Sequence, residues 1–285
     1  MVRVQADYFD LEQICRSGQC FRMRPLEGGT KAGYEIVAGE RYLRAVQEGK
    51  ECEFFCSREE FDGFWKEYFD LDEDYGRFIR QINPRDAYLT AAAASGSGIR
   101  ILRQDLWEMT VSFLISQQNN IPRIRRCIEN LCREYGQRRV TSEGEEYWGF
   151  PRPQSLAVLR EDELKACNLG YRSRYVVRTA RSVASGELDL VRVKDMPYKK
   201  AREELLKAFG VGEKVADCIC LFALHHLEAF PVDTHIRQVL DAHYKRGFPK
   251  QRYRGIYGVL QQYIFYYELH GDKGCPVLSC DPEKT

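Results

Sequence analysis

Two side chains of complementary reactivity lie close together in this sequence. Lys214 follows the glycine-flanked turn Gly210-Val211-Gly212, and Asp233 stands in the run Pro231-Val232-Asp233-Thr234-His235. A deprotonated amine is a nucleophile, and a neighbouring carboxylate can move protons or steady a developing positive charge. The stretch between them is long enough to fold back on itself. A helix over 213–226 would rise about 20 Å, and an extended return over 227–232 covers up to about 3.3 Å per residue. Asp233 can therefore come back beside Lys214, and the expected result is a buried amine facing a carboxylate.

The elements that must hold this pair are also legible. One apolar helix ending near Phe209 and a second beginning near Glu213 leave a tight reversal between them. In it Gly210 and Gly212 are expected to take positive φ and leave backbone N–H groups bare. Bare N–H groups at a helix start, that of Val215 included, bind phosphate. Asp233 precedes a helix that begins at Thr234, so it is expected to cap that helix as well as act. Cys218 and Phe222 follow Lys214 at steps of four, share its face, and are expected to line its pocket.

Further out, the pattern is that of an α+β protein: an N-terminal antiparallel β-sheet domain, then a mostly helical two-part body containing a helix-hairpin-helix at 199–226. The division is expected at residues 1–95 and 96–285. Short β-rich runs at 34–39 and 41–49 are separated by turn residues. Ser57 and Glu60 form a potential capping box, and amphipathic helices are expected over 106–115, 121–135 and 171–184. The run of alanines, glycines and serines at 90–100 reads as a junction, and 140–153 as a turn-rich loop.

Six segments together carry a family resemblance: SGQCFRM (17–23), SFLISQQNNIPRI (112–124), LGYRSRYV (169–176), GVGEKVADCIC (210–220), PVDTH (231–235) and GVLQQYIF (258–265). They resemble the 8-oxoguanine branch of the helix-hairpin-helix DNA glycosylases over nearly the whole chain. The resemblance implies a bifunctional glycosylase and AP lyase of base excision repair, acting on damaged double-stranded DNA. Breaking an N-glycosidic bond places positive charge on the sugar. Lys214 would capture the anomeric carbon as a Schiff base, while Asp233 stabilises the charge and handles protons.

An enzyme that works on a base in duplex DNA flips it into a pocket and reads its edges. By resemblance, Phe265 and Cys218 sandwich the flipped purine and Gln261 bonds its Watson–Crick edge. Gly18 supplies a backbone carbonyl aimed at N7, which carries hydrogen in 8-oxoguanine and a lone pair in guanine. Tyr171 is the implied wedge, Arg123 and Arg172 approach the orphaned cytosine, and Gln118, Asn119 and Asn120 fill the gap. His235 would bond a phosphate. The animal enzymes have asparagine where this chain has Gln118, so cytosine selectivity is expected to be weaker here. A cation held by the backbone carbonyls of Leu206, Ala208 and Val211 is implied in the same way, and no cofactor is required. Two other readings fit the hairpin: a glycosylase for another damaged base, such as an oxidised pyrimidine or an alkylated base, and a non-catalytic DNA-binding module.

Composition limits the classes further. The chain has 285 residues, 44% hydrophobic and 30% charged, with a net charge of +1. That is an ordinary globular balance with room for a substantial core. The charge is uneven, with ten acids against two bases over 51–74 and six arginines against two glutamates over 121–139. A nearly neutral protein can thus present one basic face. No apolar run approaches a membrane span and the start lacks a secretion-signal core, so a monomer in a prokaryotic cytoplasm, working at the nucleoid, is expected. Eleven cysteines contain no C-x2-C pair, and the tail carries only Cys275 and Cys280. An iron–sulfur cluster on four closely spaced C-terminal cysteines is therefore not expected.

Overall fold

The computed structural model describes residues 1–26 and 32–271. Its N-terminal part is a five-stranded sheet of β1 (Val2–Gln5), β2 (Met23–Pro25), β3 (Ala32–Ala38), β4 (Arg41–Glu48) and β5 (Glu51–Phe54). The strand order is β1-β5-β4-β3-β2 and every pairing is antiparallel. Alternation sets the buried face: Ile36 opposes Leu43 and Tyr34 opposes Ala45, and all four point into the core. Against that face pack the helix Leu11–Arg16 and the aromatic segment with Phe61, Trp65 and Phe69.

The aromatic segment departs from the expected capping box. Ser57 Oγ does accept the N–H of Glu60 at 3.0 Å, but the Glu60 carboxylate accepts from Trp65 Nε1 at 3.0 Å rather than returning to the cap. Residues Phe61–Trp65 then wind as a π turn.

The rest is helical and has its own core, in which Leu106–Ser116 is the central helix and is buried along nearly its whole length. The two cores interlock, since Phe21 belongs to the helical one and Leu102 to the sheet one. Arg100 is buried beneath this crossing and donates to the carbonyls of Asp7, Tyr8, Asp70 and Glu73. Four carbonyls from two chain segments, 7–8 and 70–73, are held by one guanidinium.

Three local expectations are corrected. The alanine-rich run is a helix, Ala87–Ser95, whose small side chains let it lie against Tyr257–His270. The stretch 140–153 contributes to a β-hairpin, Arg138–Val140 paired with Glu146–Trp148, before a short helix starts at Pro153. The helix that begins at Glu213 ends at Phe222, short of His226. Its exit is held by tertiary contact: His225 sits at φ 54° with its Nε2 3.1 Å from Asp70 Oδ2, and Asp70 is itself at φ 52°.

Candidate active site

A cleft of ≈ 1040 Å³ opens between the SGQ segment, the end of Leu106–Ser116, the hairpin and the C-terminal helix. Lys214 and Asp233 both line it, with Gly18, Gln118, Asn119, Asn120, His235 and Phe265. Sequence separations of more than two hundred residues are closed here by the interlocked cores.

The hairpin positions Lys214. Its first helix, Tyr198–Leu205, ends sooner than expected and continues in turns to Gly210, and its second helix, Glu213–Phe222, starts with Gly212 as N-cap. Gly210 has φ +90°, and a Cβ there would sit 2.6 Å from the Tyr175 ring, so only glycine fits. Gly212 differs from expectation: its backbone is extended, φ −91° and ψ 177°, with open space around it. Its role is to expose the helix start. No side chain caps this end, and the first intrahelical bond is Ala216 N–H to Gly212 carbonyl, leaving the N–H groups of Glu213, Lys214 and Val215 without a helical partner. The Val215 side chain is buried in the core, so only its amide faces outward duty. Behind the hairpin, Asp217 accepts from Tyr198 Oη at 2.8 Å and Arg202 Nε at 2.7 Å, which fixes the two helices against each other.

Lys214 is half-buried rather than buried, and its Nζ lies 5.3 Å from the centroid of the Phe113 ring. Phe222 stacks on Phe113, 5.5 Å away and 18° from parallel, so it supports that ring and does not line the cleft as expected. Cys218 is also behind the lining, close to Lys214. Burial pushes its thiol up to about 11 although the nearby ammonium pulls the other way. The sulfur stays protonated at neutral pH and does not compete as a nucleophile.

Asp233 caps Thr234–His243 as expected, its Oδ1 accepting the Ile236 N–H at 2.8 Å. Both side chains line the same cleft, and no ion pair joins Asp233 to Lys214 among the described residues.

The SGQ segment is locked from behind. Gln19 is fully buried and bonds Ser17 Oγ and the Arg100 carbonyl through its Nε2, and the Leu102 N–H through its Oε1, each at 2.9 Å. Gly18 is thereby held at φ +75° against Phe265, whose Cε1 would lie 3.0 Å from a Cβ at that position. His235 meets Phe265 edge-on at 6.2 Å. Gln261 is buried with its Nε2 on the Pro231 carbonyl at 3.2 Å and its Oε1 taken by Gln262 at 3.4 Å, so its amide braces the PVD turn and does not line the cleft.

At the loop 116–120 the sequence expectations divide. Asn120 caps Ile121–Tyr135 by accepting the Arg123 N–H at 3.0 Å, and Asn119 Nδ2 bonds the Ile115 carbonyl at 3.1 Å, so both have structural duties. Gln118 is exposed at φ 47°. Arg123 is exposed. Arg172 is only 4% exposed, and its donors reach the carbonyls of Gln117 (2.8 Å), Gln118 (2.8 Å) and Leu169 (3.2 Å). These bonds hold the loop, a duty beyond the cytosine contact that the resemblance implies for Arg172. Tyr171 is 44% exposed beside it. Sequence reasoning missed Gln117, whose Nε2 reaches the Gly210 carbonyl at 3.0 Å and ties this loop to the hairpin. Nothing in its local pattern separates it from its neighbours. It also missed Phe113, which reads as one more apolar residue of a core helix.

Residues 1–110 match the family described as 8-oxoguanine DNA glycosylase, N-terminal domain, and residues 111–252 match HhH-GPD superfamily base excision DNA repair protein. A probable N-glycosylase/DNA lyase of Methanothermobacter thermautotrophicus is 31% identical over 93% of this chain and 94% of its own length. The chain belongs to the 8-oxoguanine DNA glycosylase family. The Saccharomyces cerevisiae N-glycosylase/DNA lyase is 30% identical over 82% of this chain and 68% of that protein. The Clostridium acetobutylicum 8-oxoguanine glycosylase/lyase, solved with double-stranded DNA containing cytosine opposite 8-oxoguanine, superposes with a TM-score of 0.84 at 35% identity, covering 92% of each chain. The helix-hairpin-helix and antiparallel sheet described above are thus features of an 8-oxoguanine glycosylase fold.

The nine described cysteines are free, and the described residues contain no group of three or more His, Cys, Asp or Glu able to hold a metal ion. Cys275 and Cys280 lie outside the described residues. No helix among the described residues is long and apolar enough to cross a membrane.

Proposed function

We propose that this 8-oxoguanine glycosylase excises 8-oxoguanine from duplex DNA and cleaves the resulting abasic strand, with Lys214 as the nucleophile. The observation that carries the reading is the single cleft lined by an amine, a carboxylate, and a glycine backbone packed against an aromatic ring. The amine attacks the anomeric carbon as the base departs, and Asp233 stabilises the cationic sugar. Cleavage of the C1′–O4′ bond, with the amine's proton passing to O4′, opens the ring to the Schiff base; loss of a proton from C2′ then expels the 3′-phosphate, and water hydrolyses the imine to release the enzyme. The departing base stacks on Phe265, and the Gly18 carbonyl, held at the edge of that ring, distinguishes the protonated N7 of the lesion. Cys218 acts through Lys214, since it is beneath the lining.

Phosphate is bound by the unpartnered amides of Glu213, Lys214 and Val215, with Gly210 and Gly212 permitting the approach, and by His235. A cation on the carbonyls of Leu206, Ala208 and Val211 would strengthen that grip. The Ala208 carbonyl already accepts the Val211 N–H at 3.0 Å and keeps a second lone pair for an ion. Tyr171 fills the space of the flipped base, and Gln118 and Arg123 meet the opposite cytosine.

Borohydride reduction of enzyme with an 8-oxoguanine duplex tests the scheme. The parent protein should be trapped covalently, and Lys214→Gln should bind the duplex without trapping. Persistent trapping in the variant would move the nucleophile to another residue.

A further inference from the structure

The strongest feature that the site leaves unused is a strip of rings running away from the wedge. Tyr171 meets Tyr175 edge-on with centroids 5.7 Å apart, and Tyr175 meets Phe209 at 5.6 Å. Phe209 is 42% exposed at the hairpin tip, immediately before Gly210. An isolated exposed aromatic needs no explanation, but this one completes a contiguous row. The row also carries cations. Arg174 Cζ lies 5.1 Å from the Tyr175 ring, and Arg178 Cζ lies 4.3 Å from the Phe209 ring. Both arginines belong to the helix Ser173–Ala184, which contains no acidic residue. Arg178 has a partner in Glu161 at 3.6 Å, whereas no ion pair engages Arg174 among the described residues.

We propose that this strip is a second DNA-gripping surface, in which Phe209 and Tyr175 pack on deoxyribose faces and Arg174 neutralises a phosphate. It would extend the hold of the hairpin amides toward the point where Tyr171 opens the duplex. Three features of the strip select this occupant. Its charge is positive and complementary to a phosphate backbone, and alternating flat apolar and cationic groups match the alternation of sugar and phosphate. It is also continuous with the hairpin: Gly210, beside Phe209, packs directly on Tyr175. Rings fixed edge-on by one another are ordered before DNA arrives, so little conformational entropy is lost on contact.

This inference rests on the function proposed above, and its test reads ratios between variants and parent. Equilibrium binding to a duplex carrying a tetrahydrofuran abasic analogue is measured across a salt series, with folding of each variant checked by thermal unfolding. Phe209→Ala should weaken binding on the order of tenfold with an unchanged salt slope. Arg174→Ala should weaken binding and reduce the slope of log K against log salt by about 0.9, the release of one phosphate contact. Phe209→Leu should recover part of the loss, since it restores apolar area. Folded Phe209→Ala and Arg174→Ala variants that bind with parental affinity and parental slope would overturn the proposal. Failure of the parent itself to bind the analogue would instead count against the proposed function.

Discussion

Gly18 offers the sharpest test of how the pocket discriminates, because one methyl group perturbs it in two computable ways. The residue sits at φ +75°, where an L side chain costs on the order of 1–2 kcal/mol. The added Cβ would also lie 3.0 Å from Phe265 Cε1 and 3.6 Å from the Ile121 Cδ1, closer than carbon atoms tolerate at the first contact. Neither neighbour has much freedom, since Gln19 pins the segment from behind and Phe265 leaves a helix whose other face is core. The strain is therefore relieved by rotating the Gly18 peptide or by pushing the ring into the space for the base. Either movement forfeits the contact that separates 8-oxoguanine from guanine, worth about 1–3 kcal/mol, or roughly five- to 150-fold in rate. The assay compares single-turnover excision of 8-oxoguanine with cleavage of a preformed abasic site. Gly18→Ala should slow the first by roughly five- to 150-fold and leave the second near parental, since an abasic site carries no base to be read. Equal losses on both substrates would mean that the glycine serves folding alone, and parental excision would remove its carbonyl from base recognition.

Three further outcomes follow from the geometry. Asp233→Asn keeps a good N-cap for the Ile236 N–H but removes the charge, so it should fold with parental stability and slow base release on the order of a hundredfold, measured by single-turnover excision; Asp233→Ala should in addition lose about 0.5–2 kcal/mol in urea unfolding. Gln118→Asn places the residue type best suited to the left-handed region at φ 47°, and should widen the preference for cytosine in excision rates opposite C, A, G and T, whereas Arg172→Ala should narrow it by releasing the Gln117 and Gln118 carbonyls. A steep cytosine preference in the parent protein would refute the role given to Gln118. Burial favours protonation of Asp70, but hydrogen bonds and charge from His225 and Arg103 outweigh it and hold the carboxyl below its ordinary value of 3.8. A carboxylate depressed in the fold contributes stability above the unfolded value and loses it as pH falls through the folded one. Asp70→Asn should thus cost about 1–3 kcal/mol at pH 7, and its difference from the parent should shrink at pH well below 3.8, both read by urea unfolding.

The sequence by itself determined what depends on neighbours in the chain. Alternation in 34–48 put Ile36 and Leu43 on one face, Asp233 capped the helix that begins one residue later, and Gly210 marked the backbone that must run at positive φ. These are consequences of local sterics and of the few acceptors that fit a bare helix end. The family motifs likewise named the amine and the carboxylate. What the tertiary structure decided is which donors remain free. Arg172 reads as a base-contacting arginine, and the fold commits three of its donors to the carbonyls of Leu169, Gln117 and Gln118. Gln261 reads as a base reader, and the fold also gives its amide the Pro231 carbonyl to brace; Gln117 reads as loop until Gly210 accepts from it. The length of the lysine helix also lay outside local pattern, because it ends where Asp70, 155 residues away in sequence, captures His225. A polar side chain is assigned by its competing partners, and burial makes an unmade bond expensive. Partners brought together by chain reversal across two interlocked cores leave no trace in local spacing.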